Sequence, residues 1–244
     1  MTKLSVNINK VALLRNARNG GSPDVLQAAR TCIEAGAHGI TLHPRPDERH
    51  AKPADVYAVA QLLQSDAALE LNVEGNPFHG LLPIVRRTQP TQCTLVPDSA
   101  DTRTSDHGWD LATDGERLRP VVAELRERGV RVSLFMDAGS PDIELAKELG
   151  ADRIELYTET YAAAFDRADA AEVFAAYAET AREAQALGLG VNAGHDLNLA
   201  NLGRFCSIPG IAEVSIGHAL IGDALRIGLG HAVRAYLDAI GSDR

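Results

Sequence analysis

Eight times along this chain a short run of alternating polar and apolar residues ends in a polar or glycine-rich tip and passes into a stretch with helical periodicity. The runs are 4–9, 39–43, 69–75, 92–97, 131–137, 153–158, 190–195 and 213–218. Successive side chains of a strand point to opposite faces, so Ser5, Asn7 and Asn9 oppose Val6 and Ile8, and Thr41 and His43 oppose Ile40 and Leu42. Arg153, Glu155 and Tyr157 oppose Ile154 and Leu156 in the same way. Between the runs lie amphipathic patterns. One is 23–35, with Asp24 near its start and Gly36 at its end, and another is 168–187, stopped by Gly188. Repeated strand–helix units give parallel strands with right-handed crossovers, and eight of them close a (β/α)8 barrel, an α/β fold whose apolar strand faces meet the outer helices.

The third run, Glu70-Leu71-Asn72-Val73-Glu74-Gly75, puts two carboxylates on one face of a strand inside that barrel. Burying ionised groups without partners is expensive, so the pattern points to an interior that holds a polar ligand near the strand ends. At 244 residues the chain is close to the ~250 typical of such barrels, and no linker-like tract divides it, so one domain over 1–244 is expected. A formal charge of -9 without a basic stripe argues against nucleic acid or an anionic membrane as the main partner. Phosphorylated metabolites stay open, because helix N-termini and local arginines bind them despite a negative total. Cys32, Cys93 and Cys206 are scattered and odd in number, which fits buried thiols in a reducing compartment. With no signal-peptide pattern and no bilayer-spanning apolar run, a cytoplasmic location is expected.

In this fold the chemistry sits at the C-terminal ends of the strands. His43 ends the second run, and the loop Pro44-Arg45-Pro46-Asp47-Glu48-Arg49-His50 stiffens a cationic cluster in which Arg45 and His50 suit a phosphate; a solvated charged loop is the alternative. The long connection 98–110 carries the only tryptophan, Trp109, and reads as a lid. Asn192-Ala193-Gly194-His195-Asp196 and Ile216-Gly217-His218-Ala219, each expected to lead directly into a helix, match the phosphate site that barrels build after strands seven and eight. His43, Glu70, Glu155, His195 and His218 would then gather at one mouth, with Glu74 nearby, a set suited to repeated proton transfer. The competing reading pairs Glu70 and Glu155 with inward arginines such as Arg131 or Arg153. No strand carries tightly spaced metal ligands, so no metal is expected.

The segments Asn7-Ile8-Asn9, Leu14-Arg15-Asn16-Ala17-Arg18, Ala35-Gly36-Ala37-His38-Gly39-Ile40-Thr41-Leu42-His43-Pro44-Arg45, Val191-Asn192-Ala193-Gly194-His195 and Ile216-Gly217-His218-Ala219 resemble, in order along the chain, the pyridoxine 5'-phosphate synthase family of the vitamin B6 pathway. The resemblance implies a cofactor-free, homo-octameric (β/α)8 barrel. It would condense 1-deoxy-D-xylulose 5-phosphate with 3-amino-2-oxopropyl phosphate into pyridoxine 5'-phosphate, releasing phosphate and water. It makes His43, Glu70 and His195 the acid/base residues, with Glu155 as a further candidate. Asn7, Arg18, Gly217 and His218 would hold the amino-ketone phosphate, and Arg45, His50 and Thr104 the deoxypentulose phosphate, with Gly194 a further substrate-binding position. Asn9, Lys10 and Asp196 depart from the family pattern of Asp, His and Gly at positions counted among the substrate contacts. Lys10 can still meet a sugar hydroxyl or phosphate, and Asp196 is expected to turn its carboxylate toward the next helix as a cap, leaving its backbone N–H for phosphate. Rival readings are another phosphosugar barrel enzyme, such as an epimerase or a Schiff-base aldolase using Lys10, and a non-catalytic phosphometabolite sensor.

Overall fold

In the computed structural model, which describes residues 1–18, 20–99, 102 and 104–241, all eight runs are strands. They are β1 (Lys3–Asn7), β2 (Gly39–Leu42), β3 (Glu70–Gly75), β4 (Gln92–Leu95), β5 (Arg131–Met136), β6 (Arg153–Tyr157), β7 (Gly190–Gly194) and β8 (Ile211–Ile216). Each is parallel to the next in sequence, and β1 pairs with β8 in the register Ser5↔Ser215 to close the barrel. The tips expected to be strand leave the ladder early. Asn7 accepts a hydrogen bond from the Asn9 backbone N–H (3.1 Å), which turns the chain into the helix Asn9–Asn16, while His218 opens the helix His218–Ile227.

The outward residues Leu4, Val6, Ile40, Leu42, Val73, Leu95, Leu134, Ile154 and Val214 are fully buried in one core under the helices. The helix Val25–Glu34 is capped by the Asp24 carboxylate, which accepts from the Gln27 N–H at 3.0 Å, and it ends where Gly36 takes φ +104°, a left-handed value that favours glycine. Among the described residues no helix is long and apolar enough to cross a membrane.

Inside the barrel the packing is polar. At the N-terminal end Gln92 donates to Glu213 (3.2 Å) and accepts from Arg131 (2.9 Å) and Asn192 (3.1 Å), while Arg153 donates to Asn192 (2.9 Å) and lies 3.8 Å from Glu213. Glu70 belongs to this end. It is the first residue of β3 and forms ion pairs with Lys3 and Arg131, so the mouth position expected for it is corrected. Burial by itself raises its pKa, but the hydrogen bonds and charges of the two cations outweigh this and hold the carboxyl below the usual range. At ~3.3 Å per residue, Glu70 lies ~13 Å down the strand from Glu74, too far to share its surroundings.

Candidate active site

The C-terminal ends of the strands surround a cavity of about 500 Å³. Among the sequence-selected residues, Asn7, Asn9, Lys10, His43, Arg45, His50, Thr104, Glu155, His195, Asp196, Gly217 and His218 line it. Glu70, Arg18 and Gly194 do not. Arg18 is exposed beyond the helix Asn9–Asn16. Gly194 has a steric role instead, since a Cβ there would stand 2.5 Å from Glu155 Oε1.

Glu74, the penultimate residue of β3, occupies the place expected of Glu70. Among the described residues its carboxyl accepts from neutral donors, Asn72 at 3.3 Å and Asn7 and Ser215 at 3.5 Å. Burial, then the charges of Glu213 and Asp98, push its pKa up to about 8. Glu155 receives the Thr94 hydroxyl at 3.3 Å, and burial followed by the nearby Glu74 raises it well above the carboxylate range. Asn72 accepts from the same Thr94 hydroxyl at 3.1 Å, so one short network joins both acids. Both carboxyls are thus biased toward the protonated form, which can donate.

His43 is buried at the tip of β2, where the Asn9 side chain accepts its backbone N–H at 2.9 Å. Burial first, then Arg45, His50 and His195, drive its pKa well below the usual imidazole value, leaving a neutral ring that can accept a proton. His50 is likewise lowered to about 4 by burial and Arg45. The Arg45 guanidinium pairs with Asp98 and donates to the Thr102 carbonyl at 2.9 Å, so Arg45 ties the loop to the connection after β4, while Pro46, Asp47 and Glu48 stay exposed. Arg45 Nε and His50 Nδ1 are buried without a hydrogen-bond partner among the described residues. In the 98–110 connection, expected to be a lid, residues 100, 101 and 103 lie outside the described ones. Its far end is fixed, because the buried Trp109 donates its indole N–H to the Leu95 carbonyl and its backbone N–H to that of Phe135, both at 2.8 Å.

The helix expected directly after β8 is present, and Gly217 lies so close to Asn7 that a Cβ would meet its side chain at 3.1 Å. After β7 the expectation fails. His195 and Asp196 take φ +89° and +56°, a left-handed turn, and the next helix, Leu202–Cys206, begins only six residues later. Asp196 tolerates this region as a short polar residue can. Its carboxylate does not cap that helix: it lines the cavity 3.7 Å from His195 Nδ1, and contact with this imidazole lowers its pKa despite partial burial. The turn is instead held by Asn201, which accepts the Asn198 N–H at 2.8 Å and donates to the Asp196 carbonyl at 3.3 Å. Sequence reading missed Val96, Phe135, Tyr157, Glu159 and Ser215 as lining residues. Inward alternation at strand tips was the available signal.

A barrel that pairs its charges at one end, and at the other opens two carboxyls of raised pKa and an imidazole of lowered pKa around a polar cavity, has the layout of a (β/α)8 enzyme with its site at the C-terminal face. Over residues 4–242 the sequence matches the family described as pyridoxal phosphate biosynthesis protein PdxJ, and the chain belongs to that family. It is 56% identical over 247 residues to a pyridoxine 5'-phosphate synthase from Xanthomonas oryzae pv. oryzae, covering 98% of this chain and 96% of the relative. The relative of the same name from Albidiferax ferrireducens is 54% identical over 249 residues, covering 100% and 99%. Among solved structures, a thiamine phosphate pyrophosphorylase from Pyrococcus furiosus shares the fold at TM-score 0.63 with 13% identity, covering 98% of this chain and 95% of that one.

Proposed function

We infer that this chain is a pyridoxine 5'-phosphate synthase, condensing 1-deoxy-D-xylulose 5-phosphate with 3-amino-2-oxopropyl phosphate. Family membership supports the reaction, and the observation that carries the residue roles is the pairing of raised carboxyls, Glu74 and Glu155, with the depressed His43 in one cavity. Forming a Schiff base removes protons from an amine and delivers one to a departing oxygen; the later losses of phosphate and water and the ring closure repeat such transfers. His43 accepts as a neutral base, Glu74 and Glu155 donate, and His195, which also lines the cavity, is a further acid/base group. Glu74 takes the role first given to Glu70. The unpartnered Arg45 Nε and His50 Nδ1, with Thr104, form the seat for the deoxypentulose phosphate. The N-terminus of the helix His218–Ile227, beside Asn7, receives the amino-ketone phosphate. Incubating the purified protein with both substrates should release inorganic phosphate and produce pyridine-ring absorbance together. Phosphate release without a ring, or neither, would overturn the assignment.

A further inference from the structure

The cavity wall changes character around the barrel. On β4, β5 and β6 the inward positions read Gln92, Thr94, Val96, then Arg131, Ser133, Phe135, then Arg153, Glu155, Tyr157: polar below and apolar at the tip. Val96, Phe135 and Tyr157 pack on one another apart from the main core, with the two rings 5.5 Å apart, and all three line the cavity. At the tips of β1, β2 and β3 the lining residues are Asn7, His43 and Glu74, and elsewhere the apolar lining is the aliphatic Leu197 after β7 and Ile216 and Ala219 at the β8 tip, without an aromatic pair. An apolar patch of this kind marks where an apolar part of a ligand sits.

In a barrel closed in sequence order, β6 stands across from β2, and β4 across from β8. A ligand anchored by phosphate at Arg45 and His50 beyond β2 therefore sends its far end toward strands four to six. In a 1-deoxypentulose 5-phosphate the end farthest from phosphate is a methyl group, bonded to the ketone carbon. We propose that Val96, Phe135 and Tyr157 form the seat of this methyl group and select a methyl ketone over the corresponding hydroxymethyl ketone. The seat also fixes a reacting partner. His195 packs edge-on against Tyr157 (5.1 Å) and Phe135 (6.1 Å), which places its imidazole beside the carbon next to the methyl group. The proposal rests on the condensation assigned above and adds the feature that sets its ketose specificity.

A hydroxymethyl group seated against the Val96 methyls and the faces of the two rings would give up water without gaining a hydrogen bond there, and an apolar surface rejects an added hydroxyl about 100-fold. The test compares the KM for the deoxypentulose phosphate with the inhibition constant of xylulose 5-phosphate, its 1-hydroxy counterpart, in the native protein and in Val96→Thr. The native ratio should be about 100, and the near-isosteric threonine should lower it about tenfold, chiefly by tightening the hydroxylated competitor. Should Val96→Thr fail to fold, Val96→Ala serves instead: the KM of the deoxy substrate should rise several-fold while the competitor's constant stays put. An unmoved ratio in Val96→Thr, or an unmoved KM in Val96→Ala, in protein that still builds the ring overturns the seat alone. No ring formation by the native protein overturns the condensation, and the seat with it.

Discussion

Glu70 and Glu74 are the same residue type on the same strand and the same face, four positions apart, yet their surroundings push them in opposite directions. At the closed end Glu70 is clasped by Lys3 and Arg131 and stays ionised. At the open end Glu74 is buried at the cavity wall, accepts from amide and hydroxyl donors among the described residues, and feels the charges of Glu213 and Asp98 and the neighbouring Glu155. The closed end satisfies its charges within the protein. The open end leaves that demand to chemistry or ligand, the pattern expected where titration serves a reaction.

The largest expected contrast is in turnover. Glu74→Gln should cut ring formation by about 100-fold or more, the usual cost of a lost general acid or base, whereas Glu70→Gln should stay within a few-fold of native. Equal losses in both, measured by phosphate release, would break the division between the two ends. Stability against pH sharpens it next. Because the folded value of Glu74 is about 8 against 4.5 ordinarily, the folded protein holds this proton more tightly, and its stability falls as pH rises between those values. Glu74→Gln removes that slope, so it should gain on the native protein by on the order of a few kcal/mol from pH 4.5 to 8 in urea unfolding. For Glu70 the sign is reversed. Its folded pKa is lowered, so its stabilisation is present above the unfolded value of 4.5 and lost as pH falls through the folded one. Glu70→Gln should cost roughly 1–3 kcal/mol at pH 7, less than a fully buried pair because Lys3 is partly exposed, and the gap should close in acid. A gap that persisted at pH 3 would mean the loss is one of packing.

The smallest effect is expected at Asp196. Glycine suits φ +56°, and the flexibility it adds to the unfolded chain offsets that relief, so Asp196→Gly should leave stability within about 0.5 kcal/mol. Removing a half-exposed carboxylate from the rim should tighten amino-ketone phosphate binding by a few-fold at most, as for exposed charge pairs. Weaker binding in a titration would show that Asp196 instead supports His195.

The barrel was legible because alternation inside each run is a local signal: outward Val6, Ile40, Val73 and Val214 and inward Ser5, Thr41, Asn72 and Ser215 follow from period two alone. The site was legible where a residue closes a strand, as with His43 and His195. It failed at Glu70 because both glutamates share a face, and alternation does not say which end of the strand each occupies. The count from Gly75, the last residue of β3, resolves that in favour of Glu74. Asp196 was misjudged for another reason: a left-handed turn leaves no periodic trace, and the asparagines at 198 and 201 took the role assigned to its carboxylate.

The pairing of β1 with β8 has a consequence for how the molecule comes into being. Every other strand joins its immediate successor, so this seam alone unites the two extremities of the chain, and it is the costliest contact to close in entropy. Asn7 on one side and Gly217 on the other meet across it at the cavity. A nascent chain therefore possesses no anion seat there until its final strand is made, and a ligand spanning the join acts as a clasp on the finished hoop. Amide exchange at Val6 and Ser215 should slow more than at Leu134 when the amino-ketone phosphate binds; uniform slowing would place the clasp elsewhere.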